Sequence, residues 1–468
     1  MLFRSPSRPF GPDGAFPDPL FQVFRVVFHA CAPFTGACPH DACPPTRAIA
    51  YCKLVTQILQ FCYQKDFLQR RQSNQEGVIA LTKAETKTFL ELLGEVPEHR
   101  KGNAIRYSLR DVLFLATFAI LCGAETYTGM QTFSELHIGE LKKYLELPNG
   151  VPSHDAFGDI LSRVDIKGVN ECFRIFTESL KEGEVKDAVV ALDGKTIRRS
   201  QSETHRAFHI ETAYLSDLQI VLGQTAVEEK SSELSAIPAL LEMLALKECT
   251  VTIDAIGTHD SIAKEIRKSG AEYILPVKEN QPTLLEDIVL YAEDGILNGK
   301  ESELKKERRY AVQNDKGHGR TEKRECYLFD RVDWLNERHQ WTDLNGVAVI
   351  RSQRTITSTG ETSSVDRYYI YSHTDMTAER FLTLQRKHWA IENNLHWCLD
   401  CCFHEDDMHV RLGHAAIVIN ALRKLCMQML KADTSVKDSL AGKRQRCAWS
   451  FEYALAVATG FALASPVS

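Results

Sequence analysis

Two aspartates and one glutamate occupy positions from which they could hold divalent cations. Asp193 follows the apolar run AVVAL in VVALDGKTIRRS, and Asp254 follows CTVTI in VTIDAIGTH, so each stands where a predicted strand ends and the chain leaves the sheet. The carboxyl ends of strands are where open α/β sheets bind their ligands. Magnesium is usually held by one or two carboxylates, with water and substrate phosphate completing its shell, so two such aspartates could organise it. In a two-metal site one ion activates the attacking oxygen and the other stabilises the leaving one, which calls for a further carboxylate. LQRKHWAIENNLHWCLD offers it: on a helix, His388, Glu392 and His396 fall along one ridge at i, i+4 spacing, beside an apolar face of Leu384, Ile391, Leu395 and Leu399. A lone aspartate after a strand more often turns the chain or caps a helix, so the ordered set carries the reading rather than any member of it.

The elements that must position these groups follow from periodicity. Beyond Val185, short β-branched runs alternate with helices: AVVAL, FHIETAYL and LQIVLGQTAVEEK, a helix at IPALLEMLAL, the strand CTVTI, a helix at SIAKEIRKSG, the strand EYILPVK and a helix from Gln281. Three strands, a helix and a fourth strand predict a mixed α/β sheet. Residues of about 300–375, with RECYLFDRV, NGVAVIRSQRTI and SVDRYYIYS, read as a β-rich insertion. A last helical region runs from near Ala378 to about Lys431. Upstream, apolar residues three and four apart in KTFLELLGEV, LRDVLFLATFAILCG and DAFGDILSRV predict a helical domain. The expected division is a proline- and cysteine-rich extension over 1–75, a helical domain over 76–184, a mixed α/β domain with the β-rich insertion over 185–432 and a C-terminal tail over 433–468.

The chain's 468 residues, 44% of them hydrophobic, allow a large core with accessory parts. A net charge of −6 argues against coating nucleic acid by bulk charge, while leaving room for a local basic groove. Fourteen cysteines in a chain this long, without a signal peptide, read as reduced thiols. The most apolar N-terminal stretch, from Leu20, is interrupted by arginine and histidine and is too short to span a bilayer. A cytosolic protein with no membrane contact is expected. Prolines from Pro6 to Pro45 break all periodicity, which predicts poor order there, and Cys31, Cys38, Cys43, Cys52 and Cys62 lack the paired spacing of a zinc site.

Other motifs have two readings. The basic residues of EHRKGNAIRYSLR (98–110) would meet phosphates or form a solvated loop. Cys398, Cys401, Cys402 and His404 resemble part of a zinc site but lack a second ligand pair, so packed thiols are expected. Glu405, Asp406 and Asp407 read as a solvated loop or a partner for Arg411 rather than an added ligand set. Trp389 and Trp397 could stack on a splayed base, but their helical context predicts core packing.

Over roughly 88–455 the sequence resembles the ISAs group of insertion-sequence transposases, the H-repeat-associated proteins of the DDE transposase superfamily. The resemblance runs co-linearly through VPEHRKGNAIRYSL, LPNGVPSHDAFGDIL, ALDGKTIRRS, VLGQTAVEEKSSELSAIPALLE, TIDAIGTHDSIAKEI, YILPVKENQPTLLEDI, GHGRTEKRE and RKHWAIENNLHWCLDCCFHEDDMHVRLGHAA. It implies a nucleoid-associated protein of bacterial source in which 185–432 is a ribonuclease-H-like catalytic core with the β-rich insertion, preceded by the helical domain over 76–184 as a DNA-binding domain. It also implies Asp193, Asp254 and Glu392 as catalytic residues and ligands of two Mg²⁺ or Mn²⁺ ions. Lys195, Arg198, Lys230, Lys278, Asn280, Gln281, His318, Arg320, His388 and Asn393 are implied to contact DNA, since lysine and arginine neutralise phosphate and amides hydrogen-bond it. The implied partners are double-stranded DNA, as terminal inverted repeats and target, and a second copy of the chain in a homodimer on DNA. The implied reaction nicks the element ends and transfers the freed 3′-hydroxyl to target DNA. A non-catalytic DNA-binding relic and a stand-alone nuclease are the alternatives. Related transposases often have arginine four residues before the glutamate and lysine seven after it, where this chain has His388 and Leu399. The first seventy-five residues have no counterpart in the family and read as translated upstream sequence, which requires a non-methionine start because Met130 is the next methionine after Met1.

Overall fold

A computed structural model describes residues 89–102, 105–180, 187–203, 206–227, 233–298, 304, 307–317 and 319–459. The expected extension over 1–75 lies outside the described residues, as do Lys230 and His318.

The described residues open with helices. Those used below are α1 (Phe89–Gly94), α2 (Leu109–Leu121), α3 (Tyr127–Leu136), α4 (His154–Ser162) and α5 (Ile166–Ser179). Polar residues before them satisfy first-turn amides: Ser108 accepts from the Asp111 N–H, Ser153 from Ala156 and Asp165 from Gly168. Every residue of α2 except Arg110 is buried, as expected of a helix apolar on all sides.

Nine strands then form one sheet, in the order β3-β2-β1-β4-β5-β9-β8-β7-β6. Its first half comprises β1 (Val189–Thr196), β2 (His209–Leu215), β3 (Ile220–Val227), β4 (Thr250–Thr252) and β5 (Glu272–Val277). The pairs β1/β2 and β2/β3 are antiparallel, while β1/β4 and β4/β5 are parallel. This mixed α/β arrangement is consistent with the ribonuclease-H-like core expected above. Between strands lie α6 (Glu233–Glu242), α7 (Asp260–Lys268) and α8 (Pro282–Asn298). The expected β-rich insertion is present as β6 (Tyr310–Gly317), β7 (Arg320–Phe329), α9 (Asp333–His339), β8 (Gly346–Ile356) and β9 (Thr362–Tyr371). It extends the same sheet, because β9 pairs with β5 through Leu275 and Ile370.

Strand alternation sorts the core into faces. Val190, Leu192, Ala213 and Leu222 point one way, against Ile237 and Leu240 of α6, Ile262 and Ile266 of α7 and Ile288 of α8. Ala191, Ile210, Tyr214 and Val221 share a cluster with the N-terminal helices and the C-terminal region. That region comprises α10 (Ala378–His388), a π-helical turn Glu392–His396, α11 (Trp397–Phe403), a 3₁₀ turn Glu405–Asp407 and the long α12 (Ala415–Ala432). Residues 415–430 of α12 are all buried. Cys426 on it donates its thiol to the Thr117 carbonyl of α2 at 3.3 Å. Residues expected as a tail contain α13 (Leu440–Trp449) and α14 (Phe451–Thr459). Arg444 of α13 donates to the Ile120 carbonyl at 3.1 and 3.2 Å, and Ala454 and Val457 of α14 enter the core.

Candidate active site

Asp193 sits within β1, not at its end. The strand runs on to Thr196 because β2 keeps pairing with it, Asp193 opposite Thr212 and Thr196 opposite His209. The glycine after it clears space: a Cβ at Gly194 would come 2.1 Å from His209 Nε2 and 2.4 Å from Glu211 Oε1, a buried pair 3.1 Å apart. What reads as a turn signal in the sequence is thus a clearance requirement inside a strand. Alternation points Asp193 and Lys195 toward the face covered by the C-terminal region and Gly194 toward the other.

Asp254 lies two residues beyond β4. The parallel register pairs Ala191 with Thr252, so continuing it sets Asp254 alongside Asp193. Asp254 Oδ1 accepts the Gly257 N–H at 3.1 Å. The loop is braced from outside: Asn280 Nδ2 donates to the Ala255 carbonyl at 2.6 Å and Gln281 Nε2 to that of Thr258 at 3.0 Å. Both amides, expected at DNA, hold the backbone that carries Asp254.

The expected ridge of His388, Glu392 and His396 is broken by the π turn, in which the Trp397 N–H reaches back to the Glu392 carbonyl. The two histidines face the sheet and Glu392 is exposed. His388 Nδ1 lies 2.9 Å from Thr252 Oγ1, and His396 Nε2 lies 3.2 Å from Asp193 Oδ2. Atoms of Asp193, Glu392 and His396 all fall within 4.8 Å of one another, which makes them the one such group among the described residues near enough to share an ion.

Electrostatics keep this centre anionic. Burial pushes the Asp193 carboxyl up, but the His396 contact, the field of His388 and the Gly194 N–H outweigh it, and the carboxyl stays below its ordinary value. Burial likewise dominates at His388, lowering its pKa despite the pull of Asp193 and Asp254. A carboxylate held ionised, a second within reach, and a buried imidazole whose two nitrogens lack a hydrogen-bond partner fit a divalent cation.

Beside Asp193 lies a buried ionic network that sequence reasoning missed. Lys195, expected at phosphate, has its ammonium on Asp400 and 3.2 Å from Glu405. Glu405, expected in a solvated loop, is fully buried and accepts from Asn420 Nδ2 at 2.6 Å. His404, in the left-handed conformation at φ 49°, turns the chain after α11 and sends Glu405 inward. Burial pushes the Glu405 carboxyl up, and Lys195, Arg423 and Lys424 more than reverse it. Lys424 donates to Thr212 Oγ1 at 2.8 Å and Gln224 Oε1 at 2.7 Å, and burial pushes its pKa down to about 7. Polar residues at apolar helix positions, such as Asn420 and Lys424, were the available signal.

The remaining expected DNA contacts are scattered around this centre. Lys278, Asn393 and Arg320 are exposed, Arg320 at the start of β7. The β6–β7 hairpin runs beside the end of α10, where Arg386 pairs with Asp315. Arg198 is exposed and 3.1 Å from Asp406. In the 98–110 segment, Arg100 binds Glu98 and the Tyr107 carbonyl, and Arg110 pairs with Asp111. Trp389 and Trp397 are not core residues: they are 51% and 59% exposed, on either side of the π turn. Among the described residues the cysteine strip joins no metal-competent group; burial is partial at Cys398, which hydrogen-bonds with Cys402.

Comparison with known proteins bears on the identity of this site. A family model described as "DDE_Tnp_1-associated" matches residues 90–177, and one described as "Transposase DDE domain" matches 184–429. The "Putative protein YbfL" of Escherichia coli K12 is 34% identical over 384 residues, 81% of this chain and 100% of its own length. The "H repeat-associated putative transposase YhhI" of the same strain gives the same identity and coverage. The "Putative transposase YncI" of E. coli O157:H7 is 31% identical over 77% of this chain and 92% of its own. No helix among the described residues is long and apolar enough to cross a membrane. Together with the mixed sheet, these matches show that the chain belongs to the DDE superfamily of insertion-sequence transposases.

Proposed function

We propose that this chain cuts the ends of its element and joins the freed 3′-hydroxyls to target DNA, as a homodimer on paired ends and with two Mg²⁺ or Mn²⁺ ions as cofactors. The observation that carries the reading is the convergence of Asp193 and Glu392 from strand and helix, with Asp254 on the loop that follows the adjoining strand. Asp193 and Glu392 would hold one ion and Asp254 would help to hold the second; bound there, they supply the charge neutralisation and Lewis acidity that displacement at phosphorus requires. The β1/β4 pair fixes the spacing of the aspartates, and Asn280 and Gln281 keep the Asp254 loop in place. Exposed Lys278, Arg320 and Asn393 are the chain's means of contacting phosphates at this face, with Arg198 adding a charge beside Asp406. Water is the nucleophile in the first displacement, and the released 3′-oxygen in the second.

The test incubates purified protein with labelled end DNA, a target plasmid and Mg²⁺ or Mn²⁺. Nicked ends and joined products are expected, and Asp193→Asn should lose both while binding ends as before. End binding with neither product would replace this reading by a DNA-binding relic, and nicking without joining by a nuclease.

A further inference from the structure

We infer that His396 Nε2 is itself a ligand of the cation shared by Asp193 and Glu392, so that this centre has a nitrogen donor beside its carboxylates. The inference rests on the proposed reading of the site as a divalent-cation centre and specifies which of the chain's atoms form it.

His396 is only 4% exposed, and neither ring nitrogen has a hydrogen-bond partner. Buried polar groups are nearly always satisfied, so two unsatisfied nitrogens on one ring call for an absent partner. Nε2 stands 3.2 Å from Asp193 Oδ2, in an ionic contact with the acidic pair. That spacing has a natural explanation in coordination. Ligands at about 2.1 Å on neighbouring corners of an octahedron lie about 3.0 Å apart, and on opposite corners about 4.2 Å apart. The 3.2 Å separation matches neighbouring corners. Glu392, which offers a carboxylate oxygen within 4.8 Å of both, is exposed.

The backbone supports the same assignment. The π turn starts at Glu392 and ends at His396, and π turns inside helices recur at functional sites. It leaves Glu392 exposed while burying His396 against Asp193, so one helical turn delivers two donors to one strand residue. An imidazole donor also has a consequence for metal choice. Magnesium favours oxygen alone, whereas nitrogen suits manganese and later divalent metals better, so the centre should prefer Mn²⁺ to Mg²⁺.

The experiment uses the full chain and Mn²⁺ alone, followed by electron paramagnetic resonance and spin-echo modulation. A directly bonded nitrogen should appear in the wild-type echo and change on labelling histidine with ¹⁵N, a readout that needs no variant. It should survive His388→Ala and vanish in His396→Ala and His396→Gln, with Mn²⁺ affinity falling at least tenfold. His396→Asp should restore affinity without the nitrogen signal and shift preference toward Mg²⁺. Wild-type protein that fails to bind Mn²⁺, binds it without nitrogen coupling, or keeps the coupling in His396→Ala would overturn the assignment. The outcome is separable from the fate of the proposed function: coupling in a protein that joins no DNA would remove only the latter, and joining without coupling only the former.

Discussion

Replacing Glu405 by glutamine tests whether the buried ionic network is what seats the C-terminal region against β1. The amide oxygen can still accept from Asn420, 2.6 Å away, so packing and that hydrogen bond are retained and only the charge is removed. What remains is Lys195, Arg423 and Lys424 around a neutral side chain, with Asp400 as the nearby anion on Lys195. Breaking a buried pair from one side typically costs about 3–5 kcal/mol. Lys195 is left with a half-exposed partner and Lys424 can shed its proton, so about 3 kcal/mol is expected at pH 7.5.

The sign of the pH dependence follows from Lys424. Its folded pKa, about 7, is already depressed from the ordinary 10.5, so the unfolded state binds more protons between those values and stability rises with pH there. Without Glu405 the folded value falls further. Between the two folded values the wild-type native state holds a proton that the variant's does not, so the variant's deficit grows as pH falls below about 7, by at most ~1.4 kcal/mol per pH unit. Urea unfolding followed by circular dichroism at pH 5.5, 7.5 and 8.5 measures both effects. A variant within about 0.5 kcal/mol of wild type at pH 7.5, as a surface substitution would be, or a deficit that shrinks toward pH 5.5, would refute the argument.

Two further substitutions probe the immediate surroundings of the site. Gly194→Ala should drive a methyl group into His209 and Glu211 at 2.1 and 2.4 Å and lower stability by about 2–4 kcal/mol; Gly317→Ala, which meets nothing within 4 Å, is the control in the same thermal unfolding series. Trp397→Ala should change the urea midpoint by an amount equivalent to less than about 1 kcal/mol, because the ring is 59% exposed, whereas a core tryptophan would cost about 3–5 kcal/mol.

Much of the fold was legible because it depends on runs of residues. The β-branched runs before Asp193 and Asp254, the helix between them and the strand-rich block after residue 300 all appear where periodicity puts them, since a strand or helix face is written in local alternation. The edge-to-edge joining of β9 to β5 was not legible, because pairing partners distant in sequence leave no local mark. Nor was the length of β1: Asp-Gly is a common turn signal, and only the buried His209–Glu211 pair on the next strand explains a glycine in mid-strand.

The acidic residues show where local reading fails in a way that matters to the chemistry. An α-helical ridge at i, i+4 presents His388, Glu392 and His396 as equivalent, all aimed one way. The structure removes that equivalence: His388 lies on Thr252, His396 on Asp193 across the π turn, and Glu392 is exposed. No residue type encodes such a turn; Asp193 and Thr252, which the two histidines meet, lie on neighbouring strands. The same reasoning applies to Glu405, whose charge reads as solvated until the left-handed His404 folds it back onto Lys195. At these two places, beside Asp193 and Lys195, the local backbone positions polar donors rather than burying apolar surface.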